Sequence, residues 1–297
     1  MIHPETPQLL TRTFRLAASP LAGDASSDNG LVEGCRHAGL AAIGELEIRV
    51  SGAPDETGYL VDITVLDRAL RATAPALFRD ALRGEFETGR PTDVPALLRE
   101  VARAAQAQLA ATTRATVVEL AYRPSPFRSV TIRLETPASI AADPRIDENH
   151  STMLTDAHAR AARALLTETF EFAASHRLHL AARSDADNRA LFGKCNNPNG
   201  HGHNYRIEVA VAVGGESAVD FARIQTVVQR EIMARFDHKH LNLDCPEFRD
   251  VNPSVENIAR ICYGLLAPVF AADGAELRCV RVWETEKTSC RFPAMIG

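Results

Sequence analysis

Residues 195–205 read Cys-Asn-Asn-Pro-Asn-Gly-His-Gly-His-Asn-Tyr, which sets a thiol beside a histidine pair with metal-ligand spacing. If His201, Gly202 and His203 open a β-strand, side chains two apart share a face, so both imidazoles can reach one ion. Gly202 between them leaves the opposite face open to another backbone or a ligand. The alternating run Tyr205 to Val211 supports the strand. A third histidine, His176, directly follows the strand-like run Phe170 to Ser175, and His179, in the loop beyond, is its rival. Three histidines with a fourth position open are what a catalytic zinc site needs, although an isolated His-x-His on a strand is usually structural or at the surface. Neutral imidazoles suit zinc better than magnesium or calcium, which prefer oxygen.

Two further groups could move protons. Cys195 follows Lys194, and a neighbouring cation favours the thiolate. Asp237 and His238 are adjacent at the end of a helical stretch, where a carboxylate can orient an imidazole for proton relay near neutral pH, or where the helix end simply favours a histidine.

These groups belong to a larger set of blocks. Phe172 to Leu178 comes first, then Leu191 to Cys195 and the His-Gly-His run, then Asp237-His238-Lys239-His240-Leu241-Asn242-Leu243-Asp244, Pro253 to Ala259, and Trp283-Glu284-Thr285-Glu286-Lys287. Their order and spacing resemble the 6-pyruvoyltetrahydropterin synthase family, which includes the 6-carboxytetrahydropterin synthases of the queuosine pathway, over about residues 165 to 295. The resemblance implies an α+β tunnelling fold (T-fold), with a four-stranded antiparallel sheet and two helices on one face. It implies a zinc-dependent lyase acting on 7,8-dihydroneopterin triphosphate, a pterin triphosphate substrate, with zinc on His176, His201 and His203. It makes Cys195 the base, with Asp237 and His238 supplied from a neighbouring unit. Glu284, rather than Glu286, would anchor the pterin, with contacts from Ser254 and Glu256; Glu256 could instead cap the helix. Val255 stands where the family often has a second threonine, which puts a side-chain contact there in doubt. Five residues separate Cys195 from His201, a spacing that resembles the pyruvoyl-forming enzymes rather than the carboxy-forming ones, where the gap is shorter. A non-catalytic pterin-binding or scaffold protein is the alternative from another class.

A chain of 297 residues has room for a second domain. Thr13 to Leu21 echoes Thr169 to Leu178, Glu45 to Val50 echoes Asn204 to Val209, and Leu60 to Ile63 echoes Ala218 to Phe221. Pro91-Thr92 would open a helix as Pro253-Ser254 does, with Thr or Ser as N-cap. Strand-like runs at Ala115 to Leu120 and Ser129 to Leu134 complete the half. The expectation is a tandem duplication: a degenerate T-fold unit at 1–136, a linker with a short helix at 137–164, and a catalytic unit at 165–297. An unrelated α+β domain with similar strands is the alternative. The first unit carries Pro20 in place of His176 and offers Ala42 and Gly44 against His201 and His203, so it should be chemically silent.

A net charge of −5 without a basic cluster argues against a nucleic-acid partner. No apolar run of about 18 residues is evident, so no membrane span is expected. Six scattered cysteines in a chain of this size imply no disulfide framework, and a cytoplasmic setting is expected. The family's edge-to-edge assembly implies a homo-oligomer, three tandem chains or a multiple.

Overall fold

The computed structural model describes residues 7–18, 42–55, 58–134, 164–214 and 217–294. The chain divides into two compact units, Met1–Ala164 and Leu165–Gly297. Pro20 and nearly all of the expected linker and short helix lie outside the described residues; Ala164, the last residue of that expected segment, is strand.

In the first unit, β1 (Gln8–Ala18), β2 (Ala42–Gly52), β3 (Thr116–Ser125) and β4 (Arg128–Arg133) form an antiparallel meander in that order. Period-two burial fixes the core face: Phe14, Leu16, Leu46, Ile48, Val50, Val117, Leu120, Val130 and Ile132 are all buried. Helices α1 (Ile63–Thr88) and α2 (Val94–Ala110) supply Leu66, Leu70, Phe78, Leu98, Val101 and Leu109 to the same core. Each fully buried large side chain contributes about 1.5–3 kcal/mol. Asp62 caps α1 by accepting from the Thr64 N–H at 2.8 Å. The cap of α2 is Asp93, not Thr92: the Thr92 hydroxyl is 2.9 Å from Glu85 Oε2, leaving Asp93 to accept from the Ala96 N–H.

The second unit repeats the plan with additions. Its strands β5 (Ala164–His176), β6 (His201–Val213), β8 (Glu276–Thr285) and β9 (Thr288–Phe292) lie in that order, and a two-residue strand, β7 (Lys239–His240), pairs parallel with the end of β5. Between β5 and β6 stands a short helix, α3 (Asp185–Phe192). Between β6 and β8, helix α4 (Phe221–Val228) runs through a π-helical turn (Gln229–Met233) into a last α-turn, α5 (Ala234–Phe236). The one-turn α6 (Leu241–Asp244) and the long α7 (Val255–Ala272) follow. By length and composition α7 could cross a membrane, contrary to the absence of such a run expected from the sequence. Its buried stripe, Val255, Ile258, Ala259, Cys262, Leu266 and Phe270, is the period of a core helix, and it packs on β8 and β9.

The two units share their irregularities. The pairs Leu120↔Ile132, Tyr122↔Val130 and Ser125↔Arg128 recur as Val280↔Phe292, Val282↔Cys290 and Thr285↔Thr288. The bulge after Arg49↔Glu119 recurs after Ala210↔Cys279. Registered on these bulges, Ala42 falls at the position of His203, Gly44 at Tyr205 and Pro124 at Glu284. This moves the sequence pairing of Ala42 and Gly44 by two residues, because alternation alone leaves any even shift open. Gly44 has its own reason: a Cβ there would lie 2.6 Å from Tyr122 Cε2 and 2.7 Å from the Arg123 carbonyl oxygen. Gly44→Ala should therefore destabilise the first unit by about 1–3 kcal/mol through overpacking. Chemical denaturation checks this; an unchanged midpoint would mean that Tyr122 does not fill that space.

Candidate metal and proton-transfer site

β5 buries alternate residues Phe172, Ala174 and His176, so its last residue carries an imidazole into the interior; His176 is 0% exposed. His201 and His203 open β6 on the face that also carries buried Tyr205 and Ile207. The three rings meet at centroid distances of 4.5 Å (His176–His201), 5.2 Å (His176–His203) and 4.9 Å (His201–His203). One ring nitrogen from each lies within 4.8 Å of the others.

The orientation of His176 is set from behind. Its Nδ1 is 2.7 Å from the Pro253 carbonyl oxygen, which can only accept, so Nδ1 carries the proton. The Tyr205 hydroxyl is 3.3 Å from the same nitrogen. Nε2 is thereby left with its lone pair, and it faces His201 Nε2 at 3.0 Å. Burial pushes the His176 pKa down to about 4; the Pro253 hydrogen bond opposes that, and the charges His201, His203 and His240 would carry add to it. His201 is lowered by burial and by His203, with Glu284 opposing. His176 and His201 are therefore held toward the neutral form, the state in which imidazole binds a metal. Two nitrogens, His201 Nδ1 and His203 Nε2, are buried without a hydrogen-bond partner among the described residues. Buried unpaired nitrogens are costly, and an ion of zinc's preference would satisfy His203 Nε2. Glu284 reaches the same place from β8: its Oε1 lies 3.4 Å from His176 Nε2 and 3.6 Å from His203 Nε2.

Cys195 arrives by a different route. Ser184 caps α3, Gly193 (φ 52°) ends it, and a four-residue 3₁₀ turn, Gly193–Asn196, carries the thiol. The chain returns to β6 through Gly200 (φ 73°), where a Cβ would lie 2.7 Å from His240 Nε2 and 3.0 Å from the His176 carbonyl oxygen. Only glycine combines that dihedral with that approach. Cys195 is half-buried and lines a cleft of about 500 Å³ with His201, Arg189 and Lys194.

Asp237 and His238 follow the π-helical turn. Asp237 Oδ1 accepts from the Ala173 N–H at 2.9 Å, and the His238 N–H donates to the Ala173 carbonyl at 2.6 Å. The Ala173 bond and the adjacent His238 hold the Asp237 carboxyl below its usual range. His238 has φ 57°, the only non-glycine with positive φ among the described residues. Such backbone cost is met most often at functional sites. Its ring is 82% exposed, with Nδ1 2.9 Å from Asp237 Oδ1. It lines a second cleft, of about 460 Å³, with His203, Asn204 and Ser175. Cys195 and His238 line different clefts, the first with His201 and the second with His203.

Ser254 is engaged as the N-cap of α7, accepting from the Asn257 N–H. Glu256 is exposed in the first turn, and position three of the expected capping box is Asn257, so Glu256 is not the cap. Glu286 is exposed in the turn after β8. His179 lies in the loop with Nδ1 3.1 Å from Asn196 Nδ2, outside the cluster. Sequence reading missed His240, which packs on Gly200, and the Pro253 carbonyl, which no side-chain pattern signals. It also missed four asparagines that hold the loop after His176. Asn242 pairs reciprocally with Arg177, Asn196 binds the Leu178 carbonyl, Asn252 accepts from His179 N–H, and Asn188 pairs with Leu180.

Fold and site together define an α+β protein with a cluster of three imidazoles that could hold a metal ion and a thiol in the cleft beside His201. The family model for 6-pyruvoyl tetrahydropterin synthase matches residues 165–294. Human 6-pyruvoyl tetrahydrobiopterin synthase is 39% identical over 140 residues, covering 45% of this chain and 94% of the human protein. The Drosophila melanogaster protein of the same name is 39% identical over 100 residues, 32% of this chain and 60% of that protein. The solved Caenorhabditis elegans 6-pyruvoyl tetrahydropterin synthase is 31% identical, with TM-score 0.42, covering 45% of this chain and 96% of that one. Through its C-terminal half, the chain belongs to the 6-pyruvoyl tetrahydropterin synthase family.

A single ligand set among the described residues predicts about one tightly held zinc per chain. His203→Ala should lower metal content to near zero while leaving far-ultraviolet circular dichroism unchanged, since the unit has its own apolar core. Two retained zincs per chain in the unaltered protein would place a second site in the first unit.

Proposed function

We propose that the C-terminal unit is a zinc-dependent lyase that converts 7,8-dihydroneopterin triphosphate to 6-pyruvoyltetrahydropterin with loss of triphosphate. The observation that carries this reading is the convergence of three imidazoles, one of which, His201, shares a cleft with Cys195. The names of the relatives support it, and the five-residue spacing from Cys195 to His201 favours the pyruvoyl product over the 6-carboxytetrahydropterin one. His176, His201 and His203 would hold the zinc, which when bound supplies a Lewis acid for substrate oxygens.

The protein's own residues do the rest. Cys195 as thiolate takes a proton from a side-chain carbon, the electrons released reduce the ring within the same molecule, and triphosphate departs. Asp237 orients His238 through the 2.9 Å contact, so that the imidazole can pass protons to or from the side-chain oxygens. Glu284 anchors the pterin edge; its Oε1 lies toward the imidazoles, which puts the ring close to the metal centre. Ser254 and Glu256 flank that edge at the start of α7. Arg189 and Lys194 line the thiol's cleft and are placed to hold a phosphate chain.

The first unit we read as a degenerate tandem copy of the second, on the shared bulges and registers. With Ala42 for His203 and Pro124 for Glu284 it has neither ligand nor anchor, and its role is architectural. The boundaries we assign are 1–136, 137–164 and 165–297. From the family resemblance we assign the Asp237–His238 pair to the site of a neighbouring chain, in a homo-oligomer of three tandem chains or a multiple. The five described cysteines are free thiols, which suits the cytoplasm.

Incubation with 7,8-dihydroneopterin triphosphate should yield a product with the mass of 6-pyruvoyltetrahydropterin; the carboxy product would reassign the enzyme, and no turnover by zinc-loaded protein would refute the lyase. Cys195→Ala should keep zinc and lose about 10²–10⁴ in turnover. Cys195→Ala and His238→Ala proteins, each inactive, should partly restore activity when subunits exchange. No recovery after proven exchange would place both groups of a site in one chain.

A further inference from the structure

Cys195 sits in a four-residue 3₁₀ turn, an element too short to hold a side chain in place by its own hydrogen bonds. What fixes the turn is its neighbour. The Asn196 side chain is buried, 3% exposed. Its Nδ2 donates to the Leu178 carbonyl at 2.7 Å and to His179 Nδ1 at 3.1 Å. Its Oδ1 and its own carbonyl accept from Arg177 at 3.4 and 3.2 Å. The Leu178 N–H in turn donates to the Cys195 carbonyl at 2.9 Å. Residues 195–196 are thus bound to 177–179, the segment that begins immediately after the ligand His176, at both peptides that follow the thiol's Cα.

We propose that Asn196 is the positioning residue for Cys195: its amide ties the thiol-bearing turn to the strand end that carries His176, and so sets the sulfur's place relative to the metal centre. This rests on the reading of Cys195 as the base. The amide is chemically suited to the task, because its NH₂ meets two acceptors, Leu178 O and His179 Nδ1, while its oxygen meets the Arg177 donor. A carboxylate of the same shape would present an acceptor to those two acceptors. Asn188 provides the comparison. It is equally buried and makes its bonds to Leu180, Arg183 and Ser184 at the far end of the same loop, with none to Cys195.

The test uses the zinc-loaded full chain with Asn196→Ala, Asn196→Asp and Asn188→Ala. A displacement of the base by about an ångström costs on the order of 10²-fold. Both Asn196 variants should therefore lose about 10–100-fold in kcat, with KM and zinc content close to those of the unaltered protein. The rate at which iodoacetamide alkylates Cys195 at fixed pH should change several-fold in the same two variants. Asn188→Ala should lower the melting temperature while keeping kcat and the alkylation rate. If Asn196→Ala does not fold, the isosteric Asn196→Asp carries the test. Asn196 variants with ordinary kcat and alkylation, or an Asn188→Ala that loses kcat in step, would overturn the proposal. Absence of turnover in the unaltered protein would instead count against the lyase reading, and the alkylation comparison would still decide the role of Asn196.

Discussion

Three imidazoles share one corner of the second unit, and one of them is wholly out of water. Desolvation keeps His176 neutral, with its pKa down to about 4, and the Pro253 carbonyl fixes which nitrogen keeps the proton. That one hydrogen bond leaves a lone pair on Nε2, so that His176 needs to release no proton to bind an ion; beside it His203 Nε2 is buried without a hydrogen-bond partner among the described residues. The bond also ties the Pro253-Ser254 turn, at the start of α7, to the end of β5.

The site is assembled from elements of different stiffness. Strands β5, β6 and β8 deliver the three histidines and Glu284, and their alternation sets which face each side chain occupies. Cys195 comes on a short turn, and Asp237 and His238 come on the end of a helix with a π-helical turn in it. Each of these weaker elements is tied to a strand end by hydrogen bonds, Asn196 to the loop after β5 and Asp237 and His238 to Ala173 within it. β5 is therefore the common reference for all of the chemistry. The first unit has a sheet with the same bulge, and there Tyr122 packs over Gly44.

Much of this was legible from residue types. The i, i+2 spacing of His201 and His203 put both on one strand face, and the run before His176 put it at a strand end, because those inferences depend only on the two-residue period. Ser254 lies before its helix as a good N-cap should, and it accepts from the first turn. Thr92 misled because Asp93, an equally good cap, stands next to it. The alignment of Ala42 and Gly44 slipped because an even shift preserves alternation, and only the bulges fix the register. α7 escaped notice as a long apolar helix because Glu256 and Arg260 interrupt the run. The four asparagines and the Pro253 carbonyl were invisible for a more basic reason: their roles are hydrogen bonds to backbone groups distant in sequence, which no local pattern encodes.

The central claim is a division of labour in which three imidazoles hold the metal and Cys195 stays free as a base. X-ray absorption at the zinc edge of the purified full chain tests it most directly. The account predicts about three nitrogen scatterers at about 2.0–2.1 Å with imidazole outer-shell features, a further light atom, and no sulfur. A sulfur scatterer at about 2.3 Å would make Cys195 a ligand and contradict the account.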